Sequence, residues 1–317
     1  MTASAPAPGV YTPVPTFFKS GSKGKYELDI DTQVKHAAFL AENGIKGVVL
    51  LGSTGEMIHL TREERIELIA GVKKGLTELG HTKFEIYAGV AHNGIQDTID
   101  EIEAVKKAGA TYAMALAPNY FAPASTQASI IEWFTEVANA SALPIVIYYF
   151  PGVSNGLLIT PDTLAELSAH PNIVGVKLSH GDLSHYAQLA LNPKVQANDF
   201  TTFTGLGQVL LPAISVGISA TIDAISSAYP KSVVKLFNLA LEGKTKEAQK
   251  IQYLVSRAEE IIVAKGPVGT KYAVAKALGY SKQAQLGRPP LSEPLTTAQI
   301  ERFEPELEAL AALEKSL

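Results

Sequence analysis

The sequence predicts a (β/α)8 barrel with a C-terminal helical extension, on three observations. Short, continuously apolar runs alternate with longer amphipathic stretches. Eight such runs are present, each followed by a helical pattern, the count that closes a parallel barrel. Beyond the eighth run the chain reads as helix alone. Residues 1–243 are assigned to the barrel and 244–317 to an extension packed on it.

The expected strands are Val10–Phe17, Gly47–Gly52, Phe84–Gly89, Tyr112–Ala117, Pro144–Tyr149, Ile173–Leu178, Thr201–Gly205 and Ile218–Asp223. Most lack polar alternation, as strands covered on both faces do, and are too short for helices. Thr61-Arg-Glu-Glu64 is a capping box opening a helix with Ile66, Ile69, Val72 and Leu76 on one face. Ile95–Lys107 repeats the spacing through Ile95, Ile99, Ile102 and Val105; Ile130, Phe134 and Val137 repeat it before the fifth strand. Lys231–Glu242 completes the barrel, and Lys244–Lys265, Gly269–Leu278 and Thr297–Leu313 form the extension, with Gly266-Pro267 separating the first two. A doubly wound open sheet is the alternative. The loop Lys19-Ser-Gly-Ser-Lys-Gly24 opposes it, because it has neither dinucleotide-binding nor P-loop spacing.

Composition excludes several functional classes. Of 317 residues 46% are hydrophobic and 18% charged, which is incompatible with a disordered chain. A net charge of −4 is not the footprint of a nucleic-acid binder. There is no cysteine, hence no disulfide, thiolate nucleophile or cysteine-based metal site. No apolar stretch approaches a membrane span, and Met1–Gly9 carries no signal-peptide pattern, so a cytoplasmic protein is expected. The seven histidines are scattered without metal-ligand spacing, so neither a metal nor a cofactor is expected. Charged clusters at Glu63–Arg65 and Arg257–Glu260 read as solvated helix faces.

In this architecture the chemistry sits at the C-terminal ends of the strands. There the sequence places Gly52-Ser-Thr-Gly-Glu56, His92 and Asn93, Asn119 and Tyr120, Tyr148 and Tyr149, Lys177 and Ser179, Gly205, and Asp223. Lys177 stands out in an otherwise apolar strand. A buried ammonium lowers its pKa, and the neutral amine can attack a ketone to form a Schiff base. A lysine at a strand end can also snorkel to solvent or pair with a carboxylate. Tyr148 ends the neighbouring strand, about 4.8 Å away, where its phenol could move protons. A tyrosine there can equally be core or rim. The hydroxyls and successive N–H groups of Gly52–Gly55 suit a carboxylate.

At these positions the sequence resembles the dihydrodipicolinate synthase / N-acetylneuraminate lyase family of Schiff-base aldolases. The resemblance runs from Gly9 through the C-terminal helices. It is carried by Gly52-Ser-Thr-Gly-Glu56, Ala117-Pro-Asn-Tyr120, Tyr148-Tyr-Phe-Pro151 with Gly156, and Ile173-Val-Gly-Val-Lys177. It implies that Lys177 is the Schiff-base lysine and Tyr148 the catalytic hydroxyl. Ser53 and Thr54 would hold a pyruvate-type carboxylate, with Thr54 relaying protons. Tyr120 would be exchanged across a tight dimer within a homotetramer, and Gly205 and Ile222 would line the pocket with backbone groups.

Two departures bear on substrate. Dihydrodipicolinate synthases carry an arginine after the Tyr148 position, where this chain has Pro151-Gly-Val-Ser-Asn-Gly156. Sialic-acid lyases carry acidic residues after the Gly205 position, where this chain has Leu206-Gly207-Gln208. The remaining candidates at the distal end are His92, Asn93, Ser179 and Asp223, which suit hydroxyls on a short aldehyde. Val14-Pro-Thr-Phe-Phe18 and His59–Glu64 are similar to fungal and other eukaryotic members. The expected reaction is cleavage of a 2-keto-3-deoxy sugar acid, foremost 2-keto-3-deoxy-L-galactonate, to pyruvate and L-glyceraldehyde. The alternatives are 4-hydroxy-2-oxoglutarate cleavage, a synthase-like condensation, and a catalytically silent barrel that binds a keto acid.

Overall fold

The computed structural model describes residues 4–19 and 26–317. The start of the leader and nearly all of the Lys19–Gly24 loop lie outside the described residues. Eight strands close a barrel in chain order. They are β1 (Val10–Pro13), β2 (Gly47–Leu50), β3 (Glu85–Val90), β4 (Tyr112–Leu116), β5 (Ile145–Tyr149), β6 (Ile173–Leu178), β7 (Thr201–Thr204) and β8 (Ala220–Ile222). Every pairing is parallel, including the closure of β8 on β1. The first strand is shorter than expected, because Pro13 and Pro15 supply no N–H to extend a ladder.

The intervening helices are α1 (Ile30–Glu42), α2 (Arg62–Glu78), α3 (Ile95–Ala108), α4 (Gln127–Ala140), α5 (Pro161–Leu167), α6 (Leu183–Ala190), α7 (Pro193–Gln196), α8 (Leu210–Ser215) and α9 (Pro230–Leu241). The Thr61 capping box is present, with both the side-chain and the reciprocal Glu64 bond. Ile130, Phe134 and Val137 are buried on α4. On α3 the buried face is Thr98, Glu101, Ile102 and Val105, whereas Ile95 is exposed at the helix start. A carboxylate belongs to that face because it meets a buried guanidinium from α2.

The extension comprises α10 (Thr245–Leu278), α11 (Thr297–Ile300) and α12 (Glu304–Ser316). Inside α10 the backbone breaks at Gly266 (φ 56°, ψ −136°), a conformation essentially reserved for glycine, followed by Pro267. The helix expected over Thr297–Leu313 is divided by a 3-10 turn at Glu301–Phe303, ahead of Pro305 near the start of α12.

Inside the barrel, Tyr11, Tyr87, Tyr112 and Phe203 fill the floor. Tyr87 stacks on Tyr112 at 4.7 Å, and Tyr11 meets both Tyr87 and Phe203 edge-on. Strand β6 departs from simple alternation. Its pairing with β5 passes from Ile145↔Ile173 to Val146↔Gly175, so one residue is inserted. Val174 points into the barrel, while Ile173, Val176 and Leu178 pack outward. Without the insertion, the phase set by Val174 would turn Val176 inward and Lys177 outward. Gly175 permits it: a Cβ there would stand 2.6 Å from the Thr201 carbonyl oxygen.

Candidate active site

A cavity of about 900 Å³ opens at the C-terminal ends of the strands. Ser53, Thr54, Asn93, Tyr148, Lys177, Ser179 and Gly205 line it, so seven of the expected site residues share one space. Lys177 is 5% exposed. Its Nζ lies 4.6 Å from the centroid of the Tyr148 ring, its register partner on β5. Burial pulls the Lys177 amine down to about 7, against a smaller opposing effect of Asp223 and Glu259. A large share of the amine is therefore neutral and nucleophilic near neutral pH.

Burial pushes the Tyr148 phenol up to about 12, partly offset by hydrogen bonding with Ser53 and Ser179. Its hydroxyl is 3.4 Å from Ser53 Oγ. Ser53 lies on a tight turn in which Gly55 N–H donates to the Gly52 carbonyl at 3.0 Å and Glu56 N–H to the Ser53 carbonyl at 3.2 Å. Leu51 enters the turn with φ 62°, unusual for a side-chain-bearing residue. The turn lies so close to β3 that a Cβ on Gly89 would be 2.0 Å from the Leu51 carbonyl oxygen. Gly205 is likewise fixed by contact: a Cβ there would stand 2.0 Å from Ser179 Oγ.

Four expected residues do not line the cavity. His92 turns toward α3, with Nε2 3.8 Å from Glu101 Oε2. Burial raises Glu101, but His92 and the two-pronged Arg65 guanidinium, at 2.6 and 3.0 Å, outweigh it and hold the carboxyl at about 2. Asp223 is fully buried below the cavity, accepting from Thr221 Oγ1 at 3.0 Å and Ser226 N–H at 3.0 Å. Its charge acts on the Lys177 amine through space. Ile222 is packed in the barrel interior. Tyr120 is 73% exposed, edge-on to Phe121 at 4.9 Å. Asn93 lines the cavity and also accepts the N–H groups of Asn119 and Tyr120, at 2.7 and 2.9 Å, shaping the β4 loop.

The charged clusters are not uniformly solvated. Arg65 is buried against Glu101, and Glu259 is 2% exposed and reaches the cavity from α10. The sequence signal for Glu259 was its place between Ala258 and Ile261, both buried. Glu56, closing the Gly-Ser-Thr-Gly-Glu turn, also lines the cavity and pairs at 2.5 Å with the fully buried Lys271 of α10. Arg288 N–H donates to the same carboxylate at 3.0 Å, and the Arg288 guanidinium bridges Glu64, the His59 carbonyl and the Tyr26 carbonyl. The extension is thereby clamped to the β2 turn. No helix among the described residues is long and apolar enough to cross a membrane.

Residues 9–310 match the model of the dihydrodipicolinate synthetase family. The L-threo-3-deoxy-hexylosonate aldolase of Aspergillus niger is 33% identical, over 98% of this chain and 97% of that protein. A protein of Emericella nidulans named a probable mitochondrial 4-hydroxy-2-oxoglutarate aldolase is 34% identical, over 87% of each chain. A solved structure of a dihydrodipicolinate synthase family protein from Coccidioides immitis superposes with a TM-score of 0.86 at 32% identity, covering 100% of both chains. With a closed eight-stranded barrel, an enclosed lysine beside a tyrosine and a match over nearly its whole length, the chain belongs to the dihydrodipicolinate synthetase family.

Proposed function

We propose that this protein is a class I aldolase, a lyase that cleaves 2-keto-3-deoxy-L-galactonate to pyruvate and L-glyceraldehyde. The observation that carries the reading is the enclosed Lys177 amine over the Tyr148 ring, opposite the hydroxyl-bearing turn of β2. Among the described cavity-lining residues only Lys177 and His59 can be cationic. That lining suits one carboxylate and a hydroxylated chain better than two carboxylates. The name of the Aspergillus niger relative supports the same substrate class.

The substrate carboxylate rests on Ser53 and Thr54, and neutral Lys177 attacks the C2 ketone. Tyr148, protonated at rest, gives its proton to the departing carbinolamine hydroxyl, which leaves as water. The resulting iminium is the electron sink. The tyrosinate takes the C4 hydroxyl proton, the C3–C4 bond breaks, and the aldehyde leaves an enamine on Lys177. Reprotonation at C3 by Tyr148 and attack of water on the iminium release pyruvate and restore the amine. Thr54 and the Tyr120 of a neighbouring subunit extend the proton relay in this scheme. Exposure of Tyr120 and Phe121 together supports a homotetramer, a dimer of dimers, which sedimentation equilibrium checks. Cytoplasmic residence belongs to the proposal too; the Emericella nidulans relative carries a mitochondrial name, and cell fractionation separates the two.

The test is borohydride reduction in the presence of pyruvate, followed by peptide mapping, then kcat/KM on 2-keto-3-deoxy-L-galactonate and 4-hydroxy-2-oxoglutarate. A reduced pyruvyl adduct on Lys177 and preference for the sugar acid are expected. No adduct on folded protein returns the silent keto-acid-binding barrel. Preference for the diacid returns the second reading, which the name of the Emericella nidulans relative favours.

A further inference from the structure

Glu259 has no part in the scheme above, yet it is a buried carboxyl that lines the reaction cavity. It comes from α10 and not from the barrel. Its Oε2 accepts the Gln208 N–H at 2.5 Å. The approach depends on residue 207 being glycine, because a Cβ there would stand 2.9 Å from the same oxygen. Gln208 turns its own side chain away, to Glu260 Oε1 at 2.7 Å and the Ser256 carbonyl at 3.2 Å. Among the described residues no side chain donates a hydrogen bond to Glu259. A backbone donor therefore fixes the carboxyl against the segments that follow β7 and β8, in the cavity wall and within reach of the Lys177 charge.

We propose that Glu259 determines specificity: its carboxyl takes a hydroxyl on the aldehyde half of the substrate and disfavours a second carboxylate there. The inference rests on the aldolase reading. A hydroxyl both donates and accepts, so it complements this carboxyl with or without its proton. A carboxylate only accepts, and would add a further acidic group to a cavity already lined by Glu56 and Glu259, with Asp223 buried beside it. Burial, and then the neighbouring Asp223, raise the Glu259 carboxyl above the ordinary range, so both forms are accessible near neutral pH; a hydroxyl pairs with either, whereas a carboxylate pairs only with the protonated one. A site built to hydrogen-bond a hydroxyl rejects the analogue lacking it, because its buried group is left unpaired.

The experiment compares kcat/KM for 2-keto-3-deoxy-L-galactonate and 4-hydroxy-2-oxoglutarate in the wild type, Glu259→Gln and Gly207→Ala. The Gln side chain keeps the shape and removes the acid; the added methyl displaces the carboxyl. Both variants are expected to lower the sugar-acid to diacid ratio by about tenfold or more. A ratio within twofold of the wild type in the folded variants overturns the proposal. Should neither variant fold, the wild type is assayed with an analogue lacking the chain hydroxyls beyond C4. A loss of about tenfold or more is then expected, and a loss under twofold overturns it. Borohydride trapping of pyruvate on wild-type Lys177 separates the two failures. With the adduct present and the ratio unmoved, only the role of Glu259 falls; without the adduct, the aldolase reading falls and takes this one with it.

Discussion

Lys177 and Tyr148 face each other across the β5–β6 register, with the lysine nitrogen 4.6 Å from the ring centroid. An amine in this position is desolvated by the ring, while the tyrosine hydroxyl stays free to move protons. With the amine pulled to about 7 by burial, its reactive neutral form is lost as pH falls. The kcat/KM profile should therefore rise about tenfold per pH unit below 7 and level above it. Rates of pyruvate adduct formation should follow the same limb. A flat profile from pH 5 to 8 under conditions where chemistry limits kcat/KM would contradict the assigned nucleophile.

Gly175→Ala tests how the lysine is aimed. The new methyl would meet the Thr201 carbonyl oxygen and the Phe203 ring, closing the space that the β6 insertion occupies. Adduct formation and turnover should fall at least about tenfold, with a destabilisation of about 1–3 kcal/mol by denaturant unfolding. Wild-type trapping rates in this variant would show that the insertion does not direct Lys177.

The clamp between the extension and the β2 turn has an asymmetric signature. Lys271→Met leaves the buried Glu56 carboxylate without its ammonium, and should cost about 3–5 kcal/mol. Adding Glu56→Gln should restore a large part of that loss, since the uncompensated charge disappears with it. Additive effects of the two single substitutions in urea melts would count against a coupled pair.

Glu101 predicts how the fold responds to acid. Its carboxyl titrates lower in the folded chain, about 2, than in the unfolded one, where about 4.3 is ordinary. The folded state therefore gains stability from Glu101 above the unfolded value, and loses it as pH falls through the folded value. Glu101→Gln should destabilise at pH 7 by up to a few kcal/mol, and should flatten the loss of stability between pH 4.5 and 2. Parallel pH–stability curves for variant and wild type would refute the assignment.

Fold class was readable because parallel strands buried on both faces write continuous apolar runs, and each of the eight expected segments overlaps a strand. Local chemistry was readable where a few adjacent residues decide it, as in the Thr61 capping box. The cavity residues contributed by Gly52–Thr54, Tyr148 and Lys177 followed from strand order alone. What escaped depends on contacts remote in sequence. His92 stands at a strand end, but its ring is drawn to Glu101 by a buried ionic cluster. Asp223 is claimed by the Ser226 N–H and the Thr221 hydroxyl before any ligand arrives. Arg65 and Glu259 look like surface charge in one dimension and are buried in three, because their partners come from other helices and loops. The inward aim of Lys177 was invisible as well, since a one-residue insertion leaves no mark beyond a glycine in a strand.

The clamp on the β2 turn also has a temporal meaning, because a chain emerges from the ribosome in order. A nascent chain that has reached Leu241 already holds every strand, Lys177 and Tyr148. It does not yet hold Lys271 to neutralise Glu56, nor Glu259, Pro267 and Leu291 to wall the cavity. Docking of α10 and the segment through Leu291 is therefore what encloses the amine and gives the carboxylate of the β2 turn its counter-charge. Competence thus waits on residues made well after the last strand, since the cavity wall is complete only once Leu291 has been added.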